Sequence, residues 1–452
     1  MKFYNRKEEL STIDKVINSN NSEFSYFLWR RRIGKTSLIN YYFKSNNKDF
    51  LYFFVWNKEE GNLLKSFEDT LFNFLWFTVK FESLRDFLKF LFEYSIKNPN
   101  LNVVFDEFQN FKFVNKEIFS DFQEFWDIYK RDSNIKIFSI GSIYTLMEDI
   151  FQDKNAPLFW RATSKIFLLE FEVSVLIEIL KDYNIYSNEN LLDVYTIFWW
   201  IPKYLEVLDD LNDLNEGLII SILKHNYICD NSLFLREGQD LLLSEFWKSA
   251  NVYFSILEAI ANWKTKRSEI ADYTKMNYDS LWVYLEKLEK VYKYIEKNIP
   301  IVKPKNILNR YKIKDNFLFF WFRYIYKKSN LIEIGKYNEL VEFILNDFSN
   351  IKWFTFEKLV KSLIIKRNIK NNFLISFEKI WNYWDKKWNE IDLVCFNEQT
   401  KKVVFIECKL QSKKITNLVK EKLIEKSETI QFFSWYTKYY LYYSLDNLDE
   451  IL

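Results

Sequence analysis

The stretch that decides the fold is Phe27-Leu28-Trp29-Arg30-Arg31-Arg32-Ile33-Gly34-Lys35-Thr36-Ser37-Leu38. It closes an apolar run, opens a helical pattern and nearly matches the phosphate-binding loop G-x-x-x-x-G-K-[ST], in which backbone amides cradle phosphates. Three of the four defined positions of that loop are filled by Gly34, Lys35 and Thr36. We therefore expect nucleotide binding, and the residues expected to contact the phosphates are Trp29, Arg30, Gly34, Lys35, Thr36 and Ser37.

The first loop position holds Trp29, although a tight turn close to phosphate favours glycine. Glycine is also rare, with 6 of 452 residues against 16 tryptophans, where roughly 7% glycine is usual. We hypothesise that the host decodes UGA as glycine and that these codons are translated here as tryptophan. The positions expected to be glycine are Trp29, Trp160, Trp199, Trp200, Trp263, Trp353, Trp381 and Trp388, with Trp282 added to them.

Other tryptophans do not fit that pattern. Trp126, Trp321 and Trp384 lie in aromatic or apolar patterns and are expected to be genuine, whereas the sequence leaves Trp56, Trp76, Trp247 and Trp435 undecided. The alternative to codon reassignment is a tryptophan-rich protein with a damaged phosphate loop.

A second motif follows about 70 residues after the loop. The stretch 101–109 is an apolar strand pattern that ends in Asp106 and Glu107. A carboxylate at this place in a nucleotide-binding sheet holds Mg²⁺, and the next one orients or deprotonates the attacking water. We expect Thr36 and Asp106 to share the magnesium ion and Glu107 to be catalytic.

Two further polar groups are candidates for contact with the γ-phosphate. A third strand pattern, 135–140, ends near Ser139 and Ser142, and either hydroxyl is a candidate phosphate sensor or simply a turn residue. Arg161 follows an irregular segment and is either a sensor or finger arginine or an ordinary surface arginine.

The order of these motifs resembles that of the archaeal-type AAA-superfamily ATPases, which carry a C-terminal domain that resembles nucleases. The resemblance covers essentially the whole chain and rests on Phe3-x-Asn5-Arg6-x-x-Glu9-Leu10, Arg30-Arg31-Arg32-Ile33-Gly34-Lys35-Thr36, Phe105-Asp106-Glu107-Phe108-Gln109, Gly141-Ser142, Pro157-Leu158-Phe159-Trp160-Arg161 and Ile201-Pro202-Lys203-Tyr204-Leu205. It implies that Phe3, Asn5 and Arg6 lie near the adenine end of ATP. In that family the positions that match Trp29, Trp160, Trp199 and Trp200 are usually glycine.

Composition limits the other classes of function. The 64 basic and 62 acidic residues nearly cancel, which argues against a globally basic nucleic-acid coat but not against a local patch. The three cysteines are far apart without C-x-x-C spacing, so neither a disulfide framework nor a zinc site is indicated. A charged start and the lack of a long apolar run predict a cytoplasmic protein without a membrane segment.

The middle of the chain is predicted to be helical. Residues 173–223 form successive amphipathic patterns, and 252–291 form a helix-turn-helix pattern followed by wing strands within 292–302. The third helix of this winged helix is either a DNA reader in the major groove or a packing element, since its charges are mixed.

The C-terminal stretch carries a nuclease-like pattern. Asp392 and then Glu407-x-Lys409 lie on two neighbouring strand patterns, as in PD-(D/E)XK nucleases. Two carboxylates at neighbouring strand ends hold a divalent metal, and the lysine positions water or stabilises developing phosphate charge. Glu357, expected near the start of a helix at 354–365, is a candidate for a third metal ligand. The alternative is a degenerate nuclease fold that only binds.

We therefore expect a mixed α/β fold with a P-loop AAA-type ATPase core at 1–170, a helical lid at 171–245 and a winged helix-turn-helix at 246–303. A helical connector is expected at 304–345 and a restriction-endonuclease-like domain at 346–452. The predicted function is an ATP- and Mg²⁺-dependent ATPase coupled to DNA binding or cleavage, and a homo-oligomer fits this class. The alternative is an ATP-dependent regulatory switch with an inert nuclease-like domain.

Overall fold

The computed structural model describes residues 2–28, 32–168, 170–210, 217–227, 232–246, 249–300, 309–385 and 389–452. The predicted loop residues Trp29 and Arg30, together with Trp388, lie outside the described residues. The chain divides into two compact units, Met1–Phe171 with Ile201–Tyr204, and Glu172–Trp200 with Leu205–Leu452. Within the described ranges, no helix combines the length and apolar character needed to cross a membrane.

The first unit is built on a parallel sheet of five strands in the order β2-β3-β4-β1-β5. Parallel neighbours require crossover connections, and helices supply most of them. The strands are β1 Glu23–Leu28, β2 Leu51–Phe54, β3 Asn102–Asp106, β4 Lys136–Ile140 and β5 Ser164–Phe167. The helices are α1 Lys7–Ile17, α2 Lys35–Ser45, α3 Glu60–Leu75, α4 Leu84–Lys97, α5 Phe111–Val114, α6 Ile118–Tyr129 and α7 Tyr144–Gln152.

Both faces of this sheet are buried, as expected for parallel strands. Along β1, Phe24 and Tyr26 belong to one hydrophobic cluster, whereas Phe27 belongs to another. Successive side chains of a strand point to opposite faces, so the two clusters lie on the two sides of the sheet. Because β1 and β3 both run parallel to β4, which lies between them, their carboxyl ends lie at the same edge of the sheet, where ligands bind in such folds.

The second unit begins with helices and continues with a hairpin. The first eight helices are α8 Val173–Asp182, α9 Asn188–Phe198, α10 Pro202–Leu205, which begins in the segment that belongs to the first unit, α11 Leu218–Asn226, α12 Leu233–Phe246, α13 Ala250–Ala261, α14 Arg267–Thr274 and α15 Tyr278–Glu286. Strands β6 Ile295–Asn298 and β7 Arg310–Ile313 form an antiparallel pair. The second strand lies beyond 292–302, where both wing strands were expected, because buried Ile313 pairs with buried Ile295.

A four-stranded sheet completes the second unit, in the order β11-β10-β9-β8. Only the β10–β11 pair is parallel. The remaining elements are α16 Asn316–Phe320, α17 Ser329–Glu333, α18 Tyr337–Ile369, β8 Lys379–Trp384, β9 Glu390–Asn397, β10 Lys402–Cys408, α19 Asn417–Glu428 and β11 Thr437–Tyr443.

Helix α18 differs from the prediction. It runs continuously over Tyr337–Ile369, so Glu357 lies within it rather than near its start. The expected boundary between residues 345 and 346 also falls inside this helix. Apolar residues recur along its whole length and are buried, for example Leu340, Ile351 and Leu363. Continuous burial of one helical face explains why the helix does not break where a domain boundary was expected.

Among the described residues, four tryptophans have a positive φ angle, which a bulky side chain rarely adopts. Their φ angles are 61° at Trp76, 62° at Trp160, 54° at Trp199 and 65° at Trp263. Trp263 occupies the position after the end of α13 that usually holds glycine. The Trp263 amide donates to the Ile260 carbonyl at 3.1 Å and the Lys264 amide to Ala259 at 3.0 Å, which together form a Schellman motif.

Other positions expected to be glycine have ordinary surroundings. Trp353 lies within α18, Trp381 within β8 and Trp282 within α15. Trp200 is buried, and its ring centroid lies 4.1 Å from that of Tyr195. The backbone thus gives a reason for glycine at Trp160, Trp199 and Trp263, and also at Trp76, which the sequence left undecided. It gives no such reason at Trp200, Trp282, Trp353 and Trp381.

Candidate functional site

The phosphate-loop candidate lies at the carboxyl end of β1. Strand β1 ends at Leu28, and α2 begins at Lys35 after Gly34, which has a left-handed backbone with φ 83° and ψ 31°. The cap residue Gly34 has no side chain that could accept hydrogen bonds from the first amides of α2, and a helix N-terminus of this kind is suited to an anion. Lys35 is buried, whereas Ser37 is exposed in the first turn. The loop thus presents a helix N-terminus beside a lysine, an arrangement suited to phosphate.

Thr36 and Asp106 are in direct contact. The Thr36 Oγ1 hydroxyl donates to Asp106 Oδ2 at 2.7 Å, which joins the start of α2 to the end of β3. The Tyr52 hydroxyl on β2 donates to the same oxygen at 2.6 Å, and the Glu107 amide donates to Oδ1 at 2.9 Å. These three donors to the buried carboxylate are uncharged. A hydroxyl beside a carboxylate is a donor set that Mg²⁺ accepts when phosphate and water complete its shell.

Tyr52 remains protonated at this position. Burial, followed by the hydrogen bond to Asp106, raises the pKa of its phenol far above the ordinary value. Tyr52 is thus a permanent hydrogen-bond donor to Asp106. The sequence alone did not single out this residue, because a tyrosine within the aromatic run 50–55 is indistinguishable from core.

Glu107 is held by two polar neighbours. Its Oε2 accepts a hydrogen bond of 2.6 Å from the Ser142 hydroxyl and a second one from the Gln109 side-chain amide. Gln109 also donates to Ser142 Oγ at 3.4 Å. Ser142, a predicted phosphate sensor, thus contacts the predicted catalytic carboxylate. The alternative sensor, Ser139, is fully buried in β4, and its hydroxyl has no partner among the described residues.

The N-terminal segment reaches the loop. The Arg6 Nη2 donates to the Ile33 carbonyl at 3.2 Å, next to Gly34, and the Arg6 guanidinium lies 4.9 Å from the Phe171 ring centroid. Asn5 and Arg6 have left-handed backbones, with φ 53° and 75°. The structure thus brings Arg6 beside the loop.

Two more predicted contacts have partners of their own. The Phe3 ring stacks on Tyr41 of α2, with centroids 3.8 Å apart and planes 4° from parallel. Arg161 pairs with Asp127 at 3.2 Å and donates to the Phe159 carbonyl at 3.1 Å. In this arrangement Arg161 contacts a residue of α6 and none of the residues predicted to bind phosphate, as an ordinary surface arginine does.

The second candidate site lies on β9 and β10 of the second unit. Asp392 on β9 accepts a hydrogen bond of 2.7 Å from the Cys408 amide on β10, and Lys409 forms an ion pair with Glu407. The carboxylates of Asp392, Glu407 and Glu357 are all buried, with at most 8% of each residue exposed. Strand pairing therefore gathers the Asp and the Glu-x-Lys motif at one place.

Burial makes the carboxyl groups of Asp392 and Glu357 hard to ionise. Burial and then the charge of Glu407 raise the pKa of Asp392 to about 7. Burial and then Asp392 raise the pKa of Glu357 well above its ordinary value. Burial opposes charge on Lys409, but the hydrogen bond to Glu407 and the charge of Asp392 outweigh it and raise the pKa. Mutual repulsion of this kind is relieved when a cation binds.

The predicted three-carboxylate metal shell is not assembled. Across the described ranges, no group of three or more His, Cys, Asp or Glu side chains is arranged to hold a metal ion. The Lys409 ammonium donates to the Glu407 carboxylate, and the Cys408 amide donates to the Asp392 carboxylate. Each of these two carboxylates therefore has a hydrogen-bond partner on or next to β10. The described contacts thus join Asp392 and Glu407 to Cys408 and Lys409, and the role of Glu357 as a third ligand stays a prediction.

A parallel sheet with Gly34-Lys35-Thr36 after β1 and the Asp106-Glu107 pair at the end of β3 has the fold of a Walker-type P-loop ATPase, as the sequence predicted. The chain is similar to a solved Walker-type ATPase, PABY2304 of Pyrococcus abyssi, at 21% identity and a TM-score of 0.52, over 71% of this chain and 96% of that one. Residues 321–426 match the DUF234 family, described as Archaea bacterial proteins of unknown function.

A relative matches almost the whole chain. This is the uncharacterized protein MJECL04 of Methanocaldococcus jannaschii, 31% identical over 450 residues, which span 97% of this chain and 94% of the relative. The chain belongs to the same family as that protein.

Proposed function

We propose that the first unit binds ATP with Mg²⁺ and hydrolyses it. The observation that carries this proposal is the hydrogen bond of 2.7 Å between Thr36 and Asp106, which joins the phosphate loop to the acidic strand end. In a P-loop site these two groups share the magnesium shell. The similarity in fold to a Walker-type ATPase supports the same reading.

Each residue has a role in this proposal. Lys35 and the first amides of α2 would bind the phosphates, and Arg6 would lie at the edge of the loop. Thr36 and Asp106 would hold Mg²⁺, which neutralises charge on the phosphate oxygens. Glu107 would orient or deprotonate the attacking water, which requires its carboxylate to turn from Ser142 and Gln109 towards that water.

Equilibrium binding of fluorescent ATP tests this proposal. Lys35→Ala is expected to weaken Mg²⁺-dependent binding by at least roughly tenfold, because a charge-assisted phosphate contact is lost. Lys44→Ala is the matched control, since Lys44 is an exposed lysine of the same helix. Equal affinity of the two variants, or wild-type protein without affinity for ATP, would refute the proposal.

We further propose that the second unit cleaves phosphodiester bonds in DNA in a metal-dependent reaction. Asp392 and Glu407 would hold the divalent ion, and Lys409 would position water or stabilise charge on the phosphate. Buried, mutually repelling carboxylates beside a lysine support this role. Helices α13–α15 with the β6–β7 hairpin would supply DNA contacts, with α15 as the reading helix.

Cleavage of a labelled DNA strand in Mg²⁺ or Mn²⁺ tests the second role. Lys409→Ala is expected to abolish cleavage, whereas Lys402→Ala, an exposed lysine at the start of the same strand, is expected to leave it unchanged. Cleavage that survives in Lys409→Ala would remove the assignment.

A second candidate function is an ATP-dependent regulatory switch with an inert nuclease-like domain. The ion pair between Lys409 and Glu407, and the lack of a three-ligand metal cluster in the described part of the chain, favour this alternative. It predicts nucleotide-dependent changes in DNA binding or in homo-oligomer assembly, without cleavage in any metal.

A further inference from the structure

Helix α19 lies on β11 and runs in the opposite direction. Ser427, near the end of the helix, shares a hydrogen bond of 2.9 Å with the Tyr440 hydroxyl. Lys420, two turns earlier in the helix, lies over the ring of Tyr442, with its ammonium 5.6 Å from the ring centroid. The N-terminal half of α19 therefore lies at the carboxyl end of β11.

The carboxylate site is next to this end of β11. In the parallel pairing of β10 with β11, Glu407 lies opposite Tyr442. Two residues earlier, the rings of Phe405 and Tyr440 are stacked, with centroids 5.8 Å apart. Alternate residues of a strand share one face, so Glu407 and Tyr442 lie on the same side of the sheet as these rings and α19. Burial, followed by the neighbouring Tyr440 and Glu407, raises the pKa of the Tyr442 phenol, as expected for a hydroxyl within electrostatic reach of the carboxylate.

Exposed lysines collect at this end of α19. Lys413 and Lys414 lie in a short helical turn just before α19, and Lys420 lies in its first half. The Ser412 amide donates to the Asp446 carboxylate at 2.8 Å, which ties this turn to the segment that follows β11. Among the described residues, neither a hydrogen bond nor an ion pair engages the Lys420 ammonium, so a ligand can bind it without breaking an existing contact.

The lysines and the carboxylates suit different parts of one ligand. A metal ion on Asp392 and Glu407 would act on the phosphate at which the bond is broken. The neighbouring phosphates of the same strand also need positive charge, and flexible lysines supply it without reading the bases. This arrangement favours a nucleic-acid backbone that extends beyond the metal site over a single free nucleotide.

We propose that the N-terminal half of α19 and the turn before it form the surface on which the phosphodiester backbone of the substrate lies. Lys420 would contact the phosphate next to the broken bond, and the Tyr442 ring would position its ammonium. This backbone surface rests on the proposed cleavage function, because it supplies the contacts with DNA outside the metal site.

Fluorescence anisotropy with a labelled DNA duplex tests the proposal. Ca²⁺ is the only divalent ion, and strand length is checked afterwards, so that binding is separated from cleavage. Lys420→Met keeps the aliphatic stem and removes the charge, and Lys420→Arg restores the charge. Lys422→Met is the matched control, since Lys422 is an exposed lysine of the same helix that points to another face.

The dissociation constant of Lys420→Met is expected to rise roughly tenfold, with wild-type affinity in Lys420→Arg and Lys422→Met. The slope of log affinity against log salt should become shallower by about 0.9, which is the loss of one duplex phosphate contact. In Mg²⁺, Lys420→Met should raise KM for cleavage by the same factor with little change in kcat, because only binding is weakened.

The role of Tyr442 has its own pair of variants. Tyr442→Leu removes the ring face beneath Lys420 and is expected to raise the dissociation constant about threefold, whereas Tyr442→Phe keeps the ring and the wild-type affinity. Combined with Lys420→Met, Tyr442→Leu should add little, because the ring acts through the ammonium. Equal affinities of the Leu and Phe variants would remove the positioning role.

Three results would overturn the backbone surface: an unchanged dissociation constant and salt slope in Lys420→Met, an equal loss in Lys422→Met, or wild-type protein that does not bind the duplex. Wild-type protein that binds through Lys420 but cleaves in neither Mg²⁺ nor Mn²⁺ would remove the proposed cleavage and leave the surface in place. Cleavage by Lys420→Met with the wild-type KM would remove the surface and leave the cleavage function in place.

Discussion

The Tyr52 hydroxyl lies 2.6 Å from Oδ2 of Asp106, the same oxygen that the Thr36 hydroxyl contacts at 2.7 Å. The Glu107 amide donates to Oδ1 of Asp106 at 2.9 Å. The Asp106 carboxylate therefore accepts hydrogen bonds from β2, from α2 and from the residue that follows it. Groups that orient a metal ligand in this way commonly matter nearly as much as the ligand itself. Tyr52 is therefore a positioning residue for the proposed magnesium site.

Tyr52→Phe is expected to raise the Mg²⁺ concentration that half-saturates ATP hydrolysis by roughly tenfold. The fold should persist, because only a hydroxyl is removed from a partly buried ring. Steady-state hydrolysis across a magnesium titration measures the effect. Tyr42→Phe is the matched control, since it removes a hydroxyl that donates to Asp14 at 2.7 Å, away from the predicted metal ligands. Identical magnesium curves for the two variants would refute the role of Tyr52.

Glu107→Gln is expected to lower the rate of ATP hydrolysis by about 10²-fold or more while ATP affinity is kept, because the proposed base is lost and the phosphate contacts remain. Single-turnover hydrolysis and equilibrium binding are measured side by side. Glu117→Gln, at an exposed position before α6, is the control. A Gln variant that hydrolyses ATP at the wild-type rate would exclude Glu107 as the base.

Ser142→Ala separates two roles for this serine. If Ser142 acts on Glu107, as its hydrogen bond of 2.6 Å indicates, the variant changes the hydrolysis rate and leaves ATP affinity unchanged. If Ser142 instead contacts the γ-phosphate, the variant binds ATP more weakly than the wild type does, while its affinity for ADP is unchanged. We expect the first result, and isothermal titration with ATP and ADP decides between them.

The sequence predicted the local structure around the motifs that lie within one element. Gly34, Lys35 and Thr36 lie at the start of α2, and Asp106 and Glu107 lie at the end of β3, which are the local positions that the patterns predict. Asp392 and Glu407 come close to each other for a related reason, because β9 and β10 are adjacent antiparallel strands. A local sequence pattern is sufficient to predict the position of a motif when the motif lies within one element or on two adjacent strands.

Residues that depend on packing between elements were missed or misplaced. Tyr52 reaches Asp106 through the register of β2 and β3, in which it lies opposite Val104, and no local pattern contains that register. Gln109 was included in a motif but given no role, although it donates to Glu107. Glu357 was placed near a helix start, whereas α18 begins at Tyr337, because burial of one face and not a local cap sets the helix length.

We expect Asp392 to make the stability of the fold and the proposed cleavage depend on pH. Its pKa is raised to about 7 in the folded chain, so the folded state holds a proton that the unfolded state has already lost. The stabilising contribution is complete below the ordinary carboxyl pKa of about 4 and is lost as pH rises through about 7. Without divalent ions, Asp392→Asn should therefore melt at a higher temperature than wild type at pH 8, with a smaller difference at pH 5.

The same shift predicts that DNA cleavage by the wild type increases as pH rises through the pKa of Asp392, since metal ligation needs the ionised form. Adding Mg²⁺ should move the midpoint to lower pH, because a cation favours the charged carboxylate. Thermal unfolding with a chelator, and cleavage rates across the same buffers, measure the two effects. A wild type and an Asn variant with parallel melting profiles from pH 5 to pH 8 would contradict this account.

Exposed tryptophans with left-handed backbone provide a direct test of codon reassignment. Trp76 and Trp160 are 84% and 85% exposed and have φ angles of 61° and 62°, so replacement by glycine removes strain and little burial. Each change should stabilise the first unit by about 1 kcal/mol, or about 3 °C in melting temperature. Trp435→Gly is the matched control, since Trp435 is 90% exposed without a left-handed backbone and should lose stability.

The gene itself gives the second readout for this hypothesis. We expect UGA at the codons for Trp76, Trp160, Trp199 and Trp263, where the backbone is left-handed, and UGG at Trp321, which is buried and donates to the Leu235 carbonyl at 3.0 Å. Glycine suits a left-handed position, whereas a buried indole with a hydrogen-bond partner has no such reason to be replaced. UGG at the four left-handed positions, together with loss of stability in Trp76→Gly and Trp160→Gly, would show that tryptophan is native there and that its strain is tolerated by the fold.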